Sequence, residues 1–396
     1  MQHGHLADVI VIGLGAFGSA TAYQLAKAGA QVIGIDRFVP PHDRGSSHGA
    51  TRITRLAIGE GEVYVPLALR SHQIWHELEA ASGQQLLLRT GGLIMGRREG
   101  QAQHHGQPDF VRRTMAAAAR FGIEHEILAA SDVAARFPQF ITRGDELAYF
   151  EPEAGVLRPE LCIDTQLRQA ALRGAQLHYG ETVVALSGTA TGVQVTTDKA
   201  RYAAARAIIT AGPWVPGLVG GQFATHLRVL RQVMYWFEPA APALYRSPGC
   251  PVFIWMHGSG DEDYLYGFPM VDGHAGVKLA TEQHQLSTDP DRTERTVSAV
   301  EQQQMYRRHV AGRLQGLSER CVFAASCLYT VSTDSGFIVD RHPDVERVTV
   351  VSACSGHGFK HSAALGERLA RHALMQRGDD LAPFALGRLS SAKPIA

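Results

Sequence analysis

Gly13, Gly15 and Gly18 stand at a spacing that lets a chain turn sharply against a phosphate group. The first permits the tight turn, the second lets backbone approach a pyrophosphate, and the third lets a helix lie close to a strand. Asp36, further on, can accept hydrogen bonds from a ribose hydroxyl. Arg52 and Arg55 sit three apart in a polar, loop-like stretch and suit an anion site as well as ordinary surface ion pairs. Lys278 interrupts an apolar run at 276–280. A buried lysine is costly unless paired or functional, and a solvent-facing edge strand is the alternative. Near the C-terminal end, Gly356, His357, Gly358, Phe359 and Lys360 form a second glycine-rich segment.

Such residues need elements to hold them. The β-branched run 8–12 reads as a buried parallel strand, 19–28 as a helix closed by Gly29, and 31–35 as a second strand. Strand, glycine turn, helix, strand and acid in that order make a complete dinucleotide-binding unit, with phosphates at the helix N-terminus. Residues 205–211 predict a strand that runs into Gly212, Pro213 and Trp214. Residues 348–352 predict another, which runs into the second glycine turn and then a helix over 361–376. Residues 64–82 read as an amphipathic helix, 108–137 as a further helical stretch, and 183–198 as a hairpin. Strand-like runs recur at 230–237, 252–255, 264–268, 276–280 and 337–340. The regular strand–helix alternation usual in a nicotinamide dehydrogenase is missing after Asp36. Two anion-facing turns instead fit a ligand that is anionic at two distant places. FAD is such a ligand, with its pyrophosphate and its reduced isoalloxazine.

Composition narrows the classes. Of 396 residues, 38 are Lys or Arg and 38 are Asp or Glu, so no bulk charge draws the chain to nucleic acid or to an anionic membrane. No apolar run approaches the roughly 18 residues of a membrane span, and no basic segment precedes the first strand as in a signal peptide. Cys162, Cys250, Cys321, Cys327 and Cys354 are odd in number and widely spaced. That argues against a disulfide framework or structural zinc and fits a reducing cytoplasm. His3, His5, His104 and His105 read as solvated polar residues, because no helical metal-binding spacing accompanies them; no metal is expected.

Assembled, the chain resembles the monomeric sarcosine oxidase and N-methyltryptophan oxidase family of FAD-dependent amine oxidases. The segments GLGAFGSATAYQLA, PPHDRGSSHGATRITRLAIGEGEVYVPLALRS, YGFPMVDGHAGVKLA, SCLYTVSTDSGFIVDRHP and SGHGFKHSAALGE carry the likeness, from residue 8 to about 370. The resemblance implies an α/β chain with a discontinuous FAD-binding Rossmann-type domain over 1–80, 151–225 and 325–385. A second, α+β substrate domain on a mixed or antiparallel sheet would cover 81–150 and 226–324. The implied reaction is oxidation of the C–N bond of a secondary amino acid such as sarcosine, giving an imine, then aldehyde and amine, with hydrogen peroxide. Oxidases of cyclic imino acids or glycated amino acids, and carrier-linked dehydrogenases, share the same motifs. A cytoplasmic monomer whose only partners are a small amino acid and oxygen is implied.

The resemblance also implies roles. Cys327 matches the cysteine attached to the flavin 8-methyl group, although Cys354 sits in the turn nearest the expected flavin. Arg55 and Lys360 match the pair that holds the substrate carboxylate, and Lys278 the lysine that promotes reaction with oxygen. Tyr266 and Tyr329 match pocket tyrosines. His48, Thr51 and Arg52 match residues along the flavin; Arg37, Ser46, Gly212, Trp214, Gly356, Gly358 and Phe359 complete the cofactor set. One position departs: four residues after Lys278, Glu282 stands where sarcosine oxidases carry histidine. A carboxylate there would attract a cation and repel a substrate carboxylate, which points to a larger or more basic amine, unless Glu282 faces solvent.

Overall fold

The computed structural model describes residues 7–99, 104–105, 107–260, 262–271, 273–375 and 381–389. His3 and His5 lie outside them.

Its first sheet is built on five parallel strands in the order Gln176–Tyr179, Val32–Asp36, Ala7–Ile12, Arg201–Ile209 and Val348–Ser352. The strand Ala7–Ile12 sits at the centre because it is apolar on both faces: Val9, Ile10, Val11 and Ile12 are all buried. Full burial of each such side chain contributes roughly 1.5–3 kcal/mol. The helices Ala16–Lys27, Pro159–Ala171 and Ser362–Ala373 pack together over this sheet. The hairpin Val183–Gly188 and Val193–Thr197 extends the sheet at one edge, as its alternating pattern predicts.

The second sheet is mixed. Its order is Leu317–Ser332, Leu227–Pro239, Val277–Ala280, Tyr264–Gly267, Val252–Met256, Gly92–Arg97, Glu146–Glu151 and Glu126–Ala129. Alternation along these strands separates two environments. Val233, Tyr235, Phe237, Phe253, Trp255, Leu265, Val277 and Leu279 enter one apolar core. Their neighbours of opposite parity, among them Met234, Ile254, Tyr264, Tyr266, Lys278, Cys327 and Tyr329, line a cavity on the other face. A small third sheet joins Arg52–Thr54, Gly155–Leu157 and Leu87–Arg89 and carries the arginine segment between the two large ones.

Most elements fall where the pattern puts them. The first helix begins earlier than expected, at Ala16 instead of Ser19, so its N-terminal turn is itself part of the glycine motif. The helical stretch 108–137 is two helices, Phe110–Phe121 and Ala130–Arg136, separated by the strand Glu126–Ala129. Gly122, at φ +63, closes the first of them. Among the described residues, no helix is long and apolar enough to cross a membrane.

Candidate functional site

The strand Ala7–Ile12 delivers the chain into the first glycine turn. Gly13 has φ +87, a left-handed conformation that costs a side chain dearly. A Cβ on Gly18 would lie 1.8 Å from the Gly13 carbonyl oxygen, so only glycine lets the helix approach this closely. Gly15 meets nothing within 4 Å on its open side and lines a groove of about 780 Å³. The helix N-terminus there has no side-chain cap, so its N–H donors and dipole are left for a ligand. Gly13, Asp36, Ser46, Arg52, Gly212 and Trp214 line the same groove. So do Gly356, Gly358 and Phe359 from the second glycine turn.

Two of these residues are held in ways the sequence does not disclose. Asp36 accepts from the N–H groups of Leu14 at 2.7 Å and Phe38 at 2.8 Å, so it first fixes the turn. Burial pushes its pKa up against those bonds. Arg37 pairs with Asp291 at 2.7 Å, and Trp214 Nε1 donates to the same carboxylate at 2.9 Å. Asp291 therefore ties both to the groove; nothing near it in sequence marks it.

A smaller cavity of about 80 Å³ shares Arg52, Tyr329, Gly356 and Phe359 with the groove. Arg55, Lys360, Lys278, Tyr266, Glu282 and Cys327 all line it. Arg55 is buried, not a surface partner: it donates to the Glu60 carboxylate at 2.6 Å and to the Ala57 carbonyl. Lys360 donates to the His357 carbonyl at 2.8 Å and lies 3.6 Å from Glu60. Burial pushes the Lys360 ammonium down to about 8, while Glu60 pulls it the other way. Glu60 is itself buried, which disfavours its charge, yet Arg55 and Lys360 hold it well below the usual carboxylate range. The loop that presents Arg55 is fixed by Glu151, which accepts from Leu56 N at 2.6 Å and Ala57 N at 3.1 Å.

Lys278 lies on an interior strand, not an edge, between Leu227–Pro239 and Tyr264–Gly267. Its ammonium donates to Gly49 O at 2.7 Å and to Thr51 O and Oγ1, both at 3.0 Å, and sits 4.7 Å over the Phe268 ring. Burial still drives its pKa well down, with Arg52 adding to the effect. His48 is buried and pushed down to about 3 by that burial, so it is neutral. Arg52 donates to the carbonyls of Ser46 at 2.6 Å and Thr51 at 2.7 Å. The Tyr266 and Tyr329 hydroxyls stand 3.4 Å apart, and burial holds both protonated. Cys354 lines the groove and Cys327 the smaller cavity.

Residues 8–372 match the family described as DAO, FAD dependent oxidoreductase. The chain belongs to that family. Monomeric sarcosine oxidase of Streptomyces avermitilis is 36% identical over 370 residues, 93% of each chain. Monomeric sarcosine oxidase of a Bacillus species is 34% identical over 384 residues, 96% of each. N-methyl-L-tryptophan oxidase of Yersinia pestis is 31% identical over 399 residues, 96% of this chain and 99% of that one. Among solved structures, the open form of NikD, an unusual amino acid oxidase essential for nikkomycin biosynthesis, gives a TM-score of 0.81. It is 24% identical and covers 96% of this chain and 97% of its own. Glycine oxidase from Geobacillus kaustophilus gives 0.76 at 20% identity, covering 97% and 99%. At these identities both likenesses speak for the fold alone.

Membership in an FAD-dependent family agrees with the groove: an open glycine cradle at an uncapped helix N-terminus suits a pyrophosphate, and the second turn closes the other side. One expectation needs correcting, and one alternative falls away. His104 and His105 are buried, not solvated. Both line the smaller cavity. Glu282 is also buried and does not face solvent; His105 Nε2 lies 2.9 Å from its carboxylate. Although that His105 ring is buried, Glu282 and Glu60 raise its pKa to about 9, so at neutral pH it is an imidazolium and cancels the Glu282 charge. The cavity is thus less positive than the sequence implies, because Glu60 and Glu282 offset its cations. Glu60, His104 and His105 could bring three ligand atoms within 4.8 Å. Two of these groups are already engaged, Glu60 with Arg55 and His105 with Glu282.

Proposed function

We propose that the chain is an FAD-dependent oxidase of a small secondary amino acid, with sarcosine the simplest case. The observation that carries this reading is that Arg55, Lys360 and Lys278 converge on one 80 Å³ cavity that shares Arg52, Tyr329, Gly356 and Phe359 with the groove. Bound in the groove, FAD would accept two electrons and a proton equivalent from the amine's C–H bond and pass the electrons to oxygen.

The protein's own part is orientation and electrostatics. Arg55 and Lys360 bind the substrate carboxylate, guanidinium as a fork and ammonium as a point charge. The carboxylate competes with Glu60 for the same donors, so binding exchanges an internal ion pair for one with substrate. Tyr266 and Tyr329 stay protonated and can donate to substrate or to each other. Lys278, pinned by Gly49 and Thr51, offers a fixed N–H donor where negative charge develops on oxygen. Gly13, Gly15, Asp36, Gly212, Gly356 and Gly358 hold the dinucleotide, with Arg37 and Trp214 at its rim.

Cys327 is the proposed point of covalent attachment. Burial pushes its thiol up, and Arg52 and Lys278 pull it back down. Flavin that stays with acid-precipitated protein in the wild type and in Cys354→Ser, but not in Cys327→Ser, is the expected result; retention in Cys327→Ser overturns it. The activity is tested by the visible flavin band during anaerobic titration with sarcosine, followed by admission of air. Bleaching, then recovery with hydrogen peroxide formed, is expected. Bleaching without recovery in air would make the protein a carrier-linked dehydrogenase.

A further inference from the structure

His104 and Gln107 pair their backbones in both directions, at 2.9 and 3.0 Å. The turn presents His105 in the left-handed conformation, φ +50, which is strained for a histidine and persists only where surroundings enforce it. Its side chain is 5% exposed and lies between carboxylates from two separate segments, 2.9 Å from Glu282 and 3.7 Å from Glu60. The His104 ring lies 3.9 Å from it and the His357 ring 5.1 Å.

On one side of His105 is the 80 Å³ cavity. On the other is a separate cavity of about 190 Å³ lined by Tyr64, Phe384, Asp334 and Arg388. Among the described residues, Glu60 and His105 alone line both. Glu60 is committed to Arg55 and Lys360. The imidazole, unlike Glu60, is not paired with Arg55 or Lys360. At about 80 Å³, against the roughly 150 Å³ of a cavity that takes up benzene, the inner cavity leaves no room for a phenyl group beside a small amino acid. The outer one offers aromatic walls and a polar rim.

We propose that His105 is the specificity-determining residue of the site: a partition that confines substrates to amino acids fitting the inner cavity and closes off the outer cavity as a subsite for a bulkier, aromatic-sized substituent. This rests on the substrate reading above. The test uses the holoenzyme with His105→Ala, which removes the wall, and His105→Gln, which keeps most of its bulk and a hydrogen-bond donor to Glu282. Two ratios are read: kcat/KM for N-methyl-L-phenylalanine over sarcosine, and calorimetric Kd for acetate over 3-phenylpropionate. His105→Ala should raise both at least about tenfold, and His105→Gln should leave both within about threefold. Unchanged ratios in His105→Ala, or equal shifts in both variants, overturn the proposal. If the carboxylate ratio shifts as expected while no N-methyl amino acid bleaches the flavin, the partition stands and the substrate reading fails. If neither carboxylate binds the wild-type holoenzyme, both fail.

Discussion

At the residue scale, the cavity couples charges that the sequence shows only singly. Lys360 titrates near 8, so its grip on a carboxylate is present below that pH and is lost as pH rises through it. His105 loses its proton about a unit higher and acts in the same direction, by leaving Glu282 uncompensated. Acetate, which has no amine of its own to titrate, should therefore bind the holoenzyme more weakly above pH 8, until Arg55 alone holds it. An acetate Kd that stays flat from pH 7 to pH 10 would remove Lys360 from the site. Lys360→Met should raise KM for sarcosine about 10- to 100-fold at neutral pH, the worth of a charged hydrogen bond. Lys278→Met should act on a different step. Stopped-flow reoxidation of the reduced flavin by oxygen should slow by roughly 10²–10³, as for loss of one fixed electrostatic donor, with reduction by substrate little changed.

At the scale of elements, the glycine turns and the strands feeding them were legible because their chemistry is local. Turn conformation, close approach and β-branched burial are all written within about ten residues of one another. Gly18→Ala is the corresponding test. Its added methyl would force the Gly13 carbonyl away, so the purified variant should hold little FAD and melt at lower temperature. The cavity was legible only in part. Lys278 stood out as a cation in an apolar run and Arg55 as one of two arginines suited to an anion, whereas the pairing of Arg55 with Lys360 and the departure at Glu282 came from a family pattern. Glu60, Asp291 and Glu151 did not stand out. Each acts through a partner distant along the chain or on a neighbouring loop, and carboxylates in polar stretches are ordinary. His104 and His105 were misread for the same reason: nothing in their local sequence shows that Glu282, far along the chain, lies against them. The helix expected over 108–137 split because local propensity does not register the pairing of Glu126–Ala129 with Glu146–Glu151.

At the scale of the whole molecule, buried histidines set the response to acid. Burial holds His48 and His357 near 3 and His72 near 4, below the ordinary value of 6.5. Below about pH 6.5 the unfolded chain takes up protons that these three refuse in the fold. Stability should fall by up to about 1.4 kcal/mol per pH unit for each group. His105 has the opposite sign: its contribution is complete below pH 6.5 and is lost as pH rises through about 9. Melting temperatures should peak between the two limits, and His72→Gln, which is outside the linings of both the groove and the smaller cavity, should flatten the acid limb. An acid limb of unchanged slope in that variant would remove His72 from the balance.

The order of strands in the first sheet also bears on how the protein is made. The groove needs Gly13 at one end of the chain and Gly358 near the other, brought together by Arg201–Ile209 lying between Ala7–Ile12 and Val348–Ser352. A ribosome must therefore synthesise nearly all of the polypeptide before any cofactor can be captured. Until then the first strand has its neighbours Val32–Asp36 and Arg201–Ile209, but the second glycine turn that completes the groove is missing. Nascent chains arrested before Val348 should retain no FAD, and limited flavin supply should act on the finished chain instead of on translation.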